Sequence, residues 1–481
     1  MKSPSPLPAS RTIFAIALGI TLISILFRTY KINTPLIEYH SWRQADTMSV
    51  ARNYMRTGID LLKPQFDDIS KLQSGLENPN GYRMVEFPIF NALVAIVASV
   101  FTFWPVVIWG RIMNIIFSAC SVYILFWLLY REKNLYAAIV GSLVFATYPF
   151  FVFYTRTTLP EVFAMTLIMC SVAWAYFRPR TLTTAIGAFA LFCLAILVKP
   201  TTIFFGLAPF VMFLRWPLTK KRTFPIMVVA ALSIVPLLIW REYILKFPEG
   251  IPPSEWLITH VNVATGLQPI FFRPAFFRWV FYERINMLVL GSFSFVFLVF
   301  GSLAKTKTWL PYLMGISGLL YIFTFQGGNV QHEYYQILLL PTIALFVGLG
   351  AERMYSIATT WYAKVLAVLI TIALLIAGWF ISYDKVRHYY YSLSDIPQFA
   401  RVVQALTEPT DRIVVDTGGD TTALYAFDRK GAPAIVGTPE ELRGHGYTHL
   451  FTYVAETARN LKKDYDLEIL FQNDRFTLFK L

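Results

Sequence analysis

Apolar runs long enough to cross a lipid bilayer recur along most of this chain, and they constrain its fold more than any other feature. Runs of about 17–25 apolar residues match the thickness of a hydrocarbon core. They fall near 12–29, 107–130, 135–155, 160–177, 181–198, 201–216, 224–244, 286–303, 308–325, 335–351 and 363–382. Only 15% of residues are charged and 56% are hydrophobic. A water-soluble core cannot hide that much apolar surface, because too few polar residues remain to cover it. The chain therefore reads as an α-helical polytopic membrane protein with about eleven transmembrane helices.

The net charge of +13 does not indicate a nucleic-acid partner, because the basic residues form short clusters between apolar runs rather than one face. Arg131 with Lys133, Arg178 with Arg180, Arg215 with Lys220 to Arg222, Lys305 with Lys307, and Arg353 with Lys364 make twelve. The short connections on the other side carry two, Arg156 and Lys199. The positive-inside rule makes the first set cytosolic, provided that the apolar stretch 87–104 does not cross. That stretch then lies in the outer interface or re-enters shallowly. The N-terminus is expected in the cytosol and the C-terminus outside. No small-residue cleavage site follows the first run, which ends in Phe27-Arg28-Thr29, so it reads as an uncleaved span. Cys120, Cys170 and Cys193 all lie inside apolar runs and make no disulfide framework or metal motif.

Two domains are expected: a transmembrane domain over 1–385, with a long outer loop at 30–106, and a small extracytoplasmic α/β domain over 386–481. In the tail, Arg412–Asp416 and His449–Val454 read as strands. Pro439 opens a helix, and Leu467–Phe471 with Phe476–Leu478 form a closing hairpin. His445 and His449 are separated by a glycine-flanked loop and do not read as metal ligands.

The outer loop carries the densest chemistry. In Tyr39-His40-Ser41-Trp42-Arg43-Gln44-Ala45-Asp46, Ser41 and Gln44 fit a capping box, with a helix from Trp42 to Thr57 ended by Gly58. Arg43 and Asp46 then share a face; such a spacing alone more often marks an ordinary surface ion pair, but the reactive groups crowded around it shift the balance toward function. Glu86 opens the 87–104 segment, where it either compensates a helix dipole or faces a cavity. Arg156, Glu161, Lys199, His332 and Tyr335 lie in the other outer connections. A lysine between two spans is costly and usually functional, whereas Glu161 after Pro160 also suits a helix start. Together these groups offer cations for an anionic lipid headgroup and carboxylates for general-base work on a hydroxyl.

Read as motifs along the chain, these groups and their neighbours give Ala51-Arg52-Asn53-Tyr54, Gly58-Ile59-Asp60-Leu61, Glu86-Phe87-Pro88-Ile89-Phe90, Arg156…Leu159-Pro160-Glu161 and His332-Glu333-Tyr334-Tyr335…Leu340-Pro341. In this order the motifs resemble the C-type membrane glycosyltransferases, in the branch of the protein O-mannosyltransferases and bacterial aminoarabinose lipid A transferases. The resemblance covers roughly residues 10–385. It implies a multi-pass enzyme of the bacterial inner membrane that moves a hexosyl or pentosyl group, with inversion, from a polyprenyl-phosphate carrier to a protein, lipid or glycan acceptor. It implies no metal and no cofactor. By position, Asp46, Glu86 and Glu161 become the catalytic carboxylates, with His40, Arg43, Arg156, Lys199, His332 and Tyr335 around the donor phosphate. Arg43-Gln44 stands where the family has an Asp-Glu pair, and Glu86 where it has a lysine, so the base is either Asp46 or Glu86. A lipid-linked sugar flippase is the main alternative, and a scaffold with a partner-binding tail a weaker one. A flippase favours charged groups at the midplane and repeat symmetry, neither of which is evident.

Overall fold

The computed structural model describes residues 10–214, 219–254, 256–391, 393 and 395–481. Arg215 of the basic loop and the end of the 201–216 run lie outside the described residues, as do the side chains of Lys220 and Arg222. The chain divides into two compact units. The first combines Met1–Ile32, Arg111–Trp240 and Ser254–His388; the second combines Asn33–Gly110, Arg241–Pro253 and Tyr389–Leu481.

Among the described residues, six helices are long and apolar enough to cross a membrane. They are Arg11–Arg28, Val106–Glu132, Pro160–Phe177, Thr223–Ile244, Glu333–Ile357 and one that starts at Trp361 and runs to Val386 as an unbroken helix. The other expected spans are shorter or interrupted. The 135–155 run is two helices, Leu135–Thr147 and Pro149–Tyr154, because Pro149 cannot donate to the turn before it. Pro200 likewise ends Leu182–Val198 and starts a 3₁₀ segment, Pro200–Gly206. The 286–303 run divides into a π-helical segment, Arg278–Val289, and the helix Phe295–Ser302. Ile89–Val100 has 12 residues and rises only about 18 Å, short of a bilayer core of about 30 Å.

In the first unit Leu340–Ile357 runs through the middle, packed by Leu135–Thr147 and Phe295–Ser302. Small residues permit this approach: a Cβ on Gly141 would sit 2.7 Å from the Ala344 carbonyl, and one on Gly348 2.5 Å from that of Ala137. The break at Thr147-Tyr148-Pro149 frees backbone carbonyls where water cannot satisfy them. Arg28, fully buried, meets that need. Its guanidinium donates to the Phe145 carbonyl (2.9 Å), the Ala146 carbonyl (2.9 Å) and Thr155 Oγ1 (2.7 Å). It also donates back to the Ser24 carbonyl and hydroxyl. Each such charge-assisted bond contributes about 1.5–3 kcal/mol, so the arginine closing the first apolar run is architectural.

The second unit holds a five-stranded sheet. The hairpin His260–Val263 (β1) and Gly266–Pro269 (β2) belongs to the first unit. The tail supplies β3 (Arg412–Val415), β4 (Lys430–Ala432), β5 (His449–Thr452), β6 (Glu468–Gln472) and β7 (Thr477–Lys480). Their spatial order is β4-β3-β5-β7-β6, with β3 parallel to β4 and β5, and β7 antiparallel to β5 and β6. Ile413 and Val415 face one layer with Phe399, Leu424 and Phe451; Val414 faces the other with Leu442, Leu450 and Leu461. Burial on both faces explains why β3 reads Ile-Val-Val without polar alternation. The expected strands, the closing hairpin and the helix at Pro439 are present, the last with a Thr438/Glu441 capping box. Strand β4 was not expected, being three residues long around Gly431.

The tail does not build this unit alone. Asp67 and Ile69 of the outer loop exchange backbone hydrogen bonds with Gly431, both at 2.9 Å. The helix Ser41–Thr57 packs on Thr422–Phe427.

Candidate active site

The two units carry separate sets of the expected groups. In the loop-and-tail unit, the helix Ser41–Thr57 ends at Gly58 (φ 93°) as expected, but the capping box does not form. His40 occupies the cap position in the left-handed region (φ 56°) without a side-chain cap bond. Its ring rests 4.2 Å from that of Tyr39. The Ser41 hydroxyl instead bonds Thr422 Oγ1 at 2.9 Å.

Nor do Arg43 and Asp46 pair with each other. Arg43 forms an ion pair with Glu86. Asp46 Oδ2 is 2.8 Å from Arg83 Nη2, and Asp46 Oδ1 accepts from Thr421 Oγ1 at 2.7 Å. The side chain of Asp46 is 1% exposed and that of Glu86 13%. One oxygen of Asp46 thus ties the helix to the tail through Thr421, and the other is ion-paired within the loop to Arg83. Glu86, at the entrance to Ile89–Val100, is the more open carboxylate. Arg83 and Thr421 were not anticipated. Both lie far from Asp46 in sequence, and neither sits in a patterned element.

A further acidic pair follows the helix. Arg52 binds Asp67 and, at 2.9 Å, Asp428, with its guanidinium over the Tyr425 ring at 4.2 Å. Burial raises Asp67, against the pull of Arg52. Burial also pushes the Asp68 carboxyl up to about 7; the Asp46 charge adds to this, while hydrogen bonds from Ser70 and the Arg83 charge oppose it. One Asp68 oxygen accepts from the Ser70 amide (2.9 Å) and hydroxyl (2.7 Å), while Oδ2 is buried without a hydrogen-bond partner.

Because the folded value lies above the ordinary one near 4, the native state holds the extra proton between about pH 4 and 7. Its stabilising effect is complete below that window and lost as pH rises through about 7, with a slope approaching about 1.4 kcal/mol per pH unit. Hydrogen exchange at the Ile69 and Gly431 amides is therefore expected to accelerate from pH 5 to pH 8 beyond the intrinsic rate change. Asp68→Asn should flatten that dependence; an unchanged profile in the variant would refute the assignment.

In the membrane unit, Pro160–Phe177 and Leu182–Val198 pack together as consecutive helices. The start of one and the end of the other therefore meet. Glu161 in the first turn of the former accepts from Lys199 Nζ, just past the latter, at 2.6 Å. Their side chains are 1% and 9% exposed. Lys199 Nζ also lies over the Tyr335 ring at 5.2 Å. The His332 ring is 6.2 Å from Tyr335, 5.2 Å from Tyr334 and 5.7 Å from Trp256. Glu333 accepts from the Tyr154 hydroxyl at 3.2 Å.

Arg156, fully buried, donates to the Lys31 carbonyl at 3.2 Å. The Asn114 amide holds its turn through the Thr157 and Leu159 carbonyls at 2.6 and 2.9 Å. Glu161, Lys199, Tyr335 and His332 thus form one contiguous group at an end of this bundle. Glu161 is balanced by a lysine. Tyr154 and Asn114 hold the neighbouring segments through Glu333 and the 157–159 turn and were not anticipated, since a tyrosine and an asparagine inside apolar runs carry no distinctive spacing.

Solved membrane-protein structures share this fold at low sequence identity. Among solved structures, the chain is similar to ArnT from Cupriavidus metallidurans bound to undecaprenyl phosphate. That likeness has a TM-score of 0.63 and 12% identity over 98% of this chain and 97% of that one. The archaeal oligosaccharyltransferase AglB from Archaeoglobus fulgidus, in complex with an inhibitory peptide and a dolichol-phosphate, matches with a TM-score of 0.56 and 9% identity over 92% of this chain and 69% of that one. The arabinofuranosyltransferase AftD from Mycobacteria matches with a TM-score of 0.58 and 12% identity over 100% of this chain and 40% of that one. No protein-family model and no curated protein sequence matches the chain.

Proposed function

We propose that the chain is an integral-membrane glycosyltransferase that takes a sugar from a polyprenyl-phosphate carrier at the extracytoplasmic face. The observation that carries this reading is the buried Glu161–Lys199–Tyr335 group at the ends of membrane helices, in a fold shared with a protein solved with undecaprenyl phosphate. A charged pair so enclosed is costly unless it has a task.

In the proposed reaction an acceptor hydroxyl attacks the anomeric carbon from the face opposite the phosphate. Its proton passes to a carboxylate as the new C–O bond forms. The old C1–O bond breaks, and the polyprenyl monophosphate departs with the electron pair, so the anomeric configuration inverts. We assign the base to Glu86, and to Asp46 the role of positioning the loop, because Glu86 keeps the more open side chain. Arg156, Lys199, His332 and Tyr335 serve the donor phosphate. Glu161 orients Lys199, and Arg43 with His40 orients the base. The N-terminus is assigned to the cytosol, and the tail over 386–481, with the loop 30–106, to the exterior of a bacterial inner membrane.

The decisive assay uses purified protein in nanodiscs with labelled undecaprenyl-phosphate sugars and an extract of cell-envelope acceptors. Label is expected to move to an acceptor as free undecaprenyl phosphate accumulates. Movement of intact lipid-linked sugar between leaflets, without consumption, would favour the flippase reading instead. Sidedness has its own check in a background lacking Cys120, Cys170 and Cys193. An impermeant maleimide applied outside is expected to label Glu77→Cys but to reach Lys307→Cys only after lysis, both positions being exposed. The opposite pattern would defeat the orientation.

A further inference from the structure

The sheet of the second unit has a reversal of strand order that the proposed chemistry does not use. From β3 the chain crosses to β4 on one side; from β5 it continues to β6 and β7 on the other. In open sheets with parallel strands, the crevice beyond the carboxyl ends at such a reversal is the preferred ligand position. Here the carboxyl ends are Asp416-Thr417 after β3 and Tyr453 after β5.

A cavity of about 430 Å³ lies at this place, with Thr417, Asp420, Thr422 and Tyr453 among its walls and Phe399 on its apolar side. Its size falls within the usual range for small-ligand sites, about 300–1,000 Å³. The turn that forms one wall needs the positive φ of Gly418 (63°) and Gly419 (105°), so the backbone there is shaped by residues without a Cβ.

The lining chemistry narrows the ligand. Two carboxylates, Asp395 and Asp420, face one cation, Arg475. Arg475 is already paired with Asp395 at 2.9 Å and bonded to Gln398 at 3.0 Å. Asp416, bound by the Thr452 hydroxyl at 2.8 Å, adds negative charge nearby. A phosphate or other anion finds no uncommitted cation among these lining groups. A lipid tail finds too many polar walls. A hydroxyl-rich neutral ligand fits both features: carboxylates accept from adjacent hydroxyls, and the Tyr453 ring, 47% exposed at the mouth, offers a flat face to C–H groups.

The cavity also connects to the first outer loop through consecutive residues. Asp420 and Thr422 line it, Thr421 between them donates to Asp46, and Thr422 bonds Ser41. We infer that this cavity binds a neutral sugar residue of the acceptor glycan, and that the 420–422 turn links its occupancy to the Asp46 helix. That the bound sugar belongs to an acceptor rests on the transferase reading; the sugar site itself does not.

The test measures binding rather than transfer. Full-length protein in nanodiscs is titrated with the methyl glycosides of glucose, galactose, mannose and N-acetylglucosamine, with glucosamine and sodium phosphate as charged probes. Binding is followed by saturation-transfer NMR. At least one neutral glycoside is expected to bind, and Tyr453→Ala and Asp420→Asn are each expected to weaken it about tenfold, as for loss of one good contact. Asp420 also accepts from the Thr422 amide at 2.8 Å, so Tyr453→Ala, at an exposed ring, is the variant that keeps the test clear of folding.

Absence of saturable binding by every neutral glycoside overturns the inference. So does binding of only glucosamine or phosphate, or glycoside affinity indifferent to both variants. Retention of undecaprenyl phosphate, measured in the same nanodiscs, reports separately on the donor side. Its loss with glycoside binding intact would fault the transferase reading and leave the sugar site standing.

Discussion

Glu86→Gln is expected to lower sugar transfer about 10²–10⁴-fold, the range of a removed general base, while retention of the lipid-phosphate donor stays unchanged. The substitution preserves shape and a hydrogen-bonding oxygen, so Arg43 keeps a partner, though a neutral one. Proton acceptance is what the amide loses. Asp46→Asn is expected to act differently. Asp46 is 1% exposed, with one oxygen at Arg83 and the other on Thr421, and the neutral amide leaves the Arg83 charge poorly compensated. A buried pair broken on one side costs about 3–5 kcal/mol, so Asp46→Asn should loosen the loop-and-tail unit and reduce yield as much as turnover. A pH–rate profile separates the two: the acidic limb should vanish in Glu86→Gln and survive in whatever Asp46→Asn protein folds. Should Glu86→Gln retain full activity while folded Asp46→Asn has none, the base is Asp46.

The second large effect concerns Glu161 and Lys199. Lys199→Met leaves Glu161 buried without its 2.6 Å partner and is expected to destabilise the membrane unit by about 3–5 kcal/mol. The double variant Glu161→Met with Lys199→Met removes both charges and should regain most of that loss, because a well-packed apolar pair is often as stable as the ion pair it replaces. Stability and function should then part. If Lys199 contacts the donor phosphate, the double variant melts near wild type yet fails to retain undecaprenyl phosphate. Recovery of both properties would make the pair purely architectural, and the phosphate would be left to Arg156 and His332. A double-mutant cycle isolates the coupling.

Particular residues show how far the site was legible. His40, Arg43, Asp46 and Glu86 stand out in the sequence because reactive side chains crowd one outer loop, and Lys199 because a lysine between two spans is anomalous. Their partners were not legible. The Arg43–Asp46 pairing suggested by helical spacing is replaced by Arg43–Glu86 and Asp46–Arg83. The local capping bond of Ser41 is replaced by one to Thr422. In both cases a contact available within the helix gives way to one from a segment distant in sequence.

The sequence by itself determined the solvent this chain folds in, the places of its long apolar helices, the extent of Ser41–Thr57, and the main strands of the tail. Those features follow from local periodicity and from the cost of exposing apolar or backbone groups, and neither requires knowledge of what lies opposite. Only the tertiary structure decided that the tail sheet takes in Asp67 to Ile69 of the loop, that Arg28 closes the break before Pro149, and which acid faces which base. Ion-pair partners are set by where separate elements come to rest, and a charge pattern along one strand of sequence holds no record of distances across the fold.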